Sequence, residues 1–189
     1  MGDQYWVPHP DLAFAPGTQA GTSGGFTIFV VKDHDDIRYP TNKVKDLDVV
    51  KEPQLLGVED VCSLEEVNIA ALLHTLRVRY SRDSIYTRVA RIMIAANPFQ
   101  WLPIFGPQVL DKYRSAPGSM DLPAHIYTIG LDAVNGLRRG GSKSQAVPIS
   151  GESGAGKTES TKLVLNYVGD VLGGSGSADG SPTITDNNM

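Results

Sequence analysis

Cysteine is the scarcest residue in this chain of 189: Cys62 stands alone. A single thiol cannot close an internal disulfide, so a reducing compartment is the expectation. Basic charge is also in short supply, with 17 Lys and Arg against 21 Asp and Glu and a net charge of −4. That balance argues against a domain built for phosphate backbones, and no nucleic-acid partner is expected. Long apolar runs are missing too. The run Ile92 to Ala96 is far too short to span a bilayer, no other is longer, and no charged segment followed by an apolar stretch opens the chain. Gly2 follows Met1, but Trp6 stands where N-myristoylation needs Ser or Thr. What remains is ordinary, at 41% hydrophobic and 20% charged residues. The length suits one domain with a small appendage and a real core. A cytoplasmic globular protein is the expectation.

Turn chemistry punctuates the first fifty residues. "QYWV" and "LAFA" read as two short strands and "FTIFVV" as a third, with "PGTQAGTSGG" a flexible hairpin loop or insertion between them. A small β-barrel-like module over 1–50 is the economical reading. Ser63-Leu64-Glu65-Glu66 has the form of a capping box and announces a helix over "VNIAALLHTLRVRY". Val67, Ala70 or Ala71, Leu73 or His74, and Val78 fall near its apolar face. His74 has no partners at ligand spacing and reads as a packing residue. "SIYTRV" and "RIMIAA" read as strands, the second apolar enough to be buried in a sheet. "PQVLDKYR" reads as a short helix. "PAHIYTIGLDAVNGLRR" reads as a longer one, with Pro123 in its first turn and Gly140-Gly141 as its stop. A short strand "QAVPIS" and a last helix from Lys157 or Thr158 to about Leu172 follow, the latter with Val164, Val168, Val171 and Leu172 as its buried stripe. From Gly173 on, no periodicity remains, and a mobile loop or loose end is expected.

Between that strand and that helix lies Gly151-Glu152-Ser153-Gly154-Ala155-Gly156-Lys157-Thr158, with the spacing G-x-x-x-x-G-K-[ST]. Glycines at these positions let backbone N–H groups curl around a polyphosphate, and the helix behind them aims the positive end of its dipole at the same anion. Lys157 would reach the β- and γ-phosphates, and Thr158 would offer its hydroxyl to Mg²⁺. A chance turn with this spacing is expected in roughly 1% of chains of this size, and the flanking elements lower that further. Pro148 cuts the other way, because proline cannot donate to a sheet ladder. The loop by itself names no reaction.

A second region narrows the choice. "LRVRYSRDSIYTRVARIMIAA", "NPFQWLPIFGPQVLDKYR", "LPAHIYTIGLDA" and "GESGAGKTESTK" occur in collinear order and together resemble the N-terminal part of the myosin motor domain, from about Val58 to Leu172. The β-rich start, with Trp6 and "FTIFVV", resembles the SH3-like subdomain that precedes many such motors. The fold this implies is an α/β P-loop NTPase behind a small SH3-like subdomain. The implied divisions are 1–50, 58–172 and 173–189. Gly151 to Thr158 match the family's phosphate loop, and Thr158 its Mg²⁺ ligand. Asn97, Pro98 and Phe99, on to Phe105, match the loop that holds adenine, where an aromatic wall suits a flat purine. Glu159 and Ser160 match the start of the following helix, near base and ribose. ATP and Mg²⁺ are the implied cofactors, and actin filaments the implied partner. A cytoskeletal location follows; light chains and cargo do not.

Departures from the family pattern are specific. Phe105 stands where Tyr is usual, Ala90 where Gly is common, Leu131 where an acidic residue is frequent, and Ser160 where Asn is commoner. The switch I core N-x-x-S-S-R and the switch II segment D-x-x-G are expected to lie outside these residues, as are the actin-binding cleft, converter and lever arm. Phosphoryl transfer needs a positioned water and charge stabilisation around Mg²⁺. The chain is therefore expected to be the ATP-binding portion of an actin-based motor without ATPase output of its own. The alternative is a stand-alone nucleotide-binding fragment. An unrelated P-loop kinase leaves the Asn97–Phe105 region unexplained.

Overall fold

The computed structural model describes residues 3–139 and 144–173. The expected stop at Gly140-Gly141 and the expected loose end beyond Gly173 lie outside the described residues. Two compact units result. One runs up to Ile104 and takes in Pro123–His125; the other comprises Phe105–Leu122 and the residues from Ile126 onward.

The first unit opens with four antiparallel strands in sequence order: β1 (Gln4–His9), β2 (Ala13–Ser23), β3 (Phe26–Val31) and β4 (Ile37–Pro40). The stretch expected as a flexible loop is most of β2. Ala13–Thr18 pair with β1 and Gly17–Ser23 with β3, with a bulge between Gln19 and Gly21. Gly17 is glycine because a Cβ there would lie 3.0 Å from both Phe29 Cβ and Val7 Cγ2. Only Gly24 and Gly25, both at positive φ, make the hairpin turn. The segment after β4 returns to the free edge of β1, where Trp6 N donates to Asp48 O at 2.9 Å and Val50 N to Gln4 O at 2.8 Å.

Val7, Ala15, Phe29 and Val31 fill one side of this sheet, and Trp6 faces the other way, as strand alternation requires. Trp6 packs with Val61, Leu64, Ala70 and Ala71, so the sheet shares a core with the helical part of the unit. Its indole N–H donates to Gln54 Oε1 at 2.9 Å on α1 (Glu52–Leu55). Gln54 Oε1 also accepts from Lys51 N, and Gln54 Nε2 donates to Glu66 O, both at 2.9 Å. The buried amide thus ties three segments together with its polar atoms matched, the condition under which such a group stabilises.

The helix α2 (Ile69–Tyr80) begins later than the Ser63 pattern suggests. The Ser63 hydroxyl turns back to Asp60 O at 2.7 Å within a 3₁₀ turn, and the true cap is Asn68, whose Oδ1 accepts from Ala71 N at 2.8 Å. Val67 accordingly lies outside the helix, and exposed. The buried face is Ala70, Ala71 and Thr75. His74 packs its ring 5.3 Å from that of Trp6, and burial followed by the charge of Arg77 lowers its pKa, as befits a packing residue. β5 (Tyr86–Val89) and β6 (Ile92–Ala95) pair as a hairpin, and β5 adds a single parallel bridge from Arg88 to Asp60. No further described strand covers β6, and it is not buried: Ile92 is 66% exposed.

Among the described residues, three helices make the second unit: α3 (Pro107–Arg114), α4 (Ile126–Arg138) and α5 (Lys157–Gly173). Pro123 precedes α4 rather than sitting in its first turn. Helical spacing predicts Ile126, Ile129, Ala133, Val134 and Leu137 as the apolar face of α4. Ile126 and Val134 are buried, Ile129 and Ala133 half-buried and Leu137 exposed, while Tyr127, Thr128, Gly130 and Leu131 are buried as well. On α5 it is Val164, Tyr167 and Val171, while Leu172 is exposed. The expected strand "QAVPIS" joins no sheet, since Pro148 has no N–H to give and no described strand lies alongside. Its Val147 and Ile149 instead line an apolar groove of about 310 Å³ with Ala133, Leu137, Val164 and Val168.

Candidate functional site

The glycine loop joins the extended segment to the first turn of α5. Gly154 and Gly156 adopt φ of 79° and 90°, backbone that side chains other than glycine rarely take. Gly151 needs its small size for a different reason: a Cβ there would sit 3.0 Å from the Ala155 Cβ. Ala155 N closes a turn onto Glu152 O at 3.2 Å, and Ser160 N makes the first α-helical bond to Gly156 O at 2.9 Å.

Lys157 folds back over this loop. Its ammonium donates to Gly151 O and Glu152 O, both at 2.8 Å, which places a cation in the concavity of the loop. Thr158 lies exposed in the first turn of α5 beside it. Glu159, also exposed, pairs with Lys162 at 2.8 Å. The arrangement suits an oxyanion: one ammonium, the N–H groups of the first turn, and the positive end of a helix 17 residues long. Among the described residues no group of three His, Cys, Asp or Glu could hold a metal ion. A divalent cation here would take the Thr158 hydroxyl and draw its other oxygens from phosphate and water, which is how Mg²⁺ is usually held.

Asn97, Pro98 and Phe99 belong to the first unit. Asn97 Oδ1 accepts from Phe99 N at 3.0 Å, an Asx turn, and Tyr80 donates its hydroxyl to Asn97 O at 3.3 Å. That turn holds Phe99 at a φ of 51°, an unusual conformation for a bulky residue, and leaves its side chain 84% exposed. Trp101 is 81% exposed beside it in sequence. The segment is pinned further on, where Leu102 is buried and His125 Nε2 donates to Ile104 O at 3.0 Å. Burial drives the His125 pKa down to about 4.

Phe105 begins the second unit, and what fixes it went unseen in the sequence. Tyr127 donates its hydroxyl to Phe105 O at 3.1 Å. Tyr127 stacks on Tyr167 at 5.3 Å between centroids and meets Tyr113 edge-on at 5.9 Å. Tyr167, fully buried, donates to Tyr113 O at 3.1 Å. Burial raises the pKa of Tyr127, with the charge of Asp170 adding to it, and burial likewise raises that of Tyr167. Three tyrosines, one per helix, thus form the centre of this unit. The signal available in the sequence was the helical phase of Tyr127 and Tyr167 with their apolar neighbours.

The description "Myosin head (motor domain)" is that of a family model matching residues 58–186. This chain belongs to the myosin head family. It is 34% identical over 174 residues to Myosin-3 of Arabidopsis thaliana, which covers 92% of this chain and 14% of that protein. To Myosin-J heavy chain of Dictyostelium discoideum it is 34% identical over 170 residues, 88% of this chain and 7% of the relative. To Myosin-VIIa of Drosophila melanogaster it is 36% identical over 177 residues, 91% of this chain and 8% of the relative. The chain therefore spans between 7% and 14% of the length of these myosins.

Two departures from the myosin pattern acquire a physical meaning. Ala90, in the β5–β6 turn, has a φ of 53°, so it occupies a glycine conformation without being glycine. Leu131, at 3% exposure on the buried face of α4, sits where an unpaired carboxylate would be costly. Asp170-Val171-Leu172-Gly173 fits D-x-x-G by letter alone. It forms the last turn of α5, and Asp170 is held by Arg114 at 2.9 Å. It is a helix end anchored to α3, not a switch segment.

Proposed function

We propose that these residues form the ATP-binding portion of a myosin-type motor, on the fold of an α/β P-loop NTPase preceded by an SH3-like subdomain over 1–50, with 58–172 as motor sequence. The observation that carries the reading is the Lys157 ammonium folded into a glycine loop at the N-terminus of α5. In this reading Gly151, Glu152, Ser153, Gly154, Ala155 and Gly156 wrap the phosphates, and Lys157 exchanges its two carbonyl partners for phosphate oxygens. Asn97, Pro98, Phe99, Phe105 and Glu159 border the base. Thr158 holds Mg²⁺, which when bound neutralises charge across the β- and γ-phosphates. The complete motor would hydrolyse ATP and move on actin filaments in the cytoplasm.

The test is equilibrium binding of ATP with Mg²⁺ to the purified chain, beside Lys157→Ala. Loss of a charge-assisted contact to phosphate is expected to weaken binding by about tenfold or more. Equal binding by both proteins overturns the reading. A steady-state ATPase assay on the same chain is expected to show little turnover with or without actin. The second reading is a stand-alone nucleotide-binding fragment without motor or ATPase output. Sequencing the transcript past codon 189 separates the two: a frame continuing into N-x-x-S-S-R supports the motor, and a stop codon the fragment.

A further inference from the structure

Within the second unit, Tyr127 touches both Phe105 and the helix that begins at Lys157. Its hydroxyl holds the Phe105 carbonyl at 3.1 Å, and its ring meets that of Phe105 at 6.4 Å between centroids. The same ring stacks on Tyr167 at 27° between planes. Tyr167 lies on α5, about ten residues or ~15 Å along the helix from Lys157. The Tyr167 ring cannot slide freely, because Gly130 is the only residue type that fits under it: a Cβ there would come within 2.5 Å of Tyr167 Cδ1. Its hydroxyl is also committed, to Tyr113 O at 3.1 Å. A phenylalanine at 127 would fill the same space and keep the stack. What the hydroxyl adds is a hold on the Phe105 backbone, referenced to the helix that carries the phosphate ligands.

We propose that Tyr127 is a positioning residue for the base end of the nucleotide, fixing the Phe105 backbone relative to α5 without touching the ligand. The proposal rests on the reading of Phe105 as a border of the adenine site. It separates the two ends of the ligand: losing the hydroxyl loosens the base end and leaves the phosphate end intact. Tyr127→Phe is therefore compared with the unaltered chain for equilibrium binding of ATP and of tripolyphosphate, each with Mg²⁺. ATP is expected to bind about three- to tenfold more weakly, the loss of one hydrogen bond, with tripolyphosphate unchanged. Tyr167→Phe removes an equally buried hydroxyl that does not reach Phe105. It is expected to lower the thermal midpoint while leaving the ratio of the two affinities as it was. An unchanged ratio in Tyr127→Phe, or an equal change in both variants, overturns the positioning role while leaving the nucleotide site standing. Failure of the unaltered chain to bind either ligand removes the site and the proposal together.

Discussion

The two units solve the problem of burying polar atoms in different ways. In the first, amide and guanidinium groups reach across the sequence to backbone carbonyls. Gln54 binds Glu66 O, Arg77 reaches Leu12 O at 2.7 Å, and Arg79 reaches Tyr86 O at 2.8 Å. In the second, phenol hydroxyls do this work, from Tyr127 to Phe105 O and from Tyr167 to Tyr113 O. A guanidinium on a flexible stem tolerates some displacement of its partner. A tyrosine has two rotatable bonds and a rigid ring, so it transmits position more faithfully. In the unit with the glycine loop these buried links to the backbone come from phenols, which would suit a nucleotide site there that must hold its ligand within a few tenths of an ångström.

The sharpest break in the first unit is Trp6→Ala. It empties a fully enclosed site and removes the donor to Gln54, for an expected loss of about 3–5 kcal/mol. Urea unfolding should register it, together with faster amide exchange in β1 and α2. A change below about 1 kcal/mol would mean that Trp6 is not the anchor.

Acid is the next lever, and it also acts on the first unit. The folded pKa of His125, about 4, lies below the ordinary 6.5, so the unfolded chain takes up the proton first as pH falls. Its contribution is present above pH 6.5 and is lost progressively down to pH 4, amounting to about 3 kcal/mol. His125→Gln, which keeps an N–H for Ile104 O, should flatten the decline of the urea midpoint over that range. A slope equal to that of the unaltered chain would count against the assignment.

Gly130→Ala probes the second unit. Alanine is ordinarily the better helix former by about 1 kcal/mol, yet here the added methyl meets a ring fixed by stacking and by its hydroxyl. The expected net loss is about 1–3 kcal/mol, read as a drop in thermal midpoint. A gain in stability would show that the tyrosine cluster is more pliable than the comparison supposes. The smallest effect has the opposite sign. Ala90→Gly relieves a positive φ in the β5–β6 turn and should stabilise the chain by about 0.5–1 kcal/mol, although the unfolded state gains freedom.

How much of this was legible depended on whether the deciding interaction was local. "FTIFVV", "PQVLDKYR" and the start of α5 at Lys157 are legible, because strand alternation, helix periodicity and the glycines ahead of a helix are written within a few residues. The stretch Pro16–Gly25 was misread because its glycines answer to partners elsewhere: Gly17 is small for Phe29 and Val7. Ser63 offered the right letters for a cap, but Asp60, three residues upstream, claimed its hydroxyl. The Tyr127 hydroxyl could not be assigned from sequence either, since its partner is a carbonyl, and carbonyls leave no trace in side-chain identity.

Lys157 carries a last consequence, for kinetics. Its long side chain already rests on two loop carbonyls, at 2.8 Å each, so its rotamer freedom has been surrendered during folding. An arriving anion does not have to capture a lysine waving in solvent. In the proposed site it would trade places with Gly151 and Glu152 as the partner of a cation already in position, and association would become an exchange of acceptors around a stationary charge.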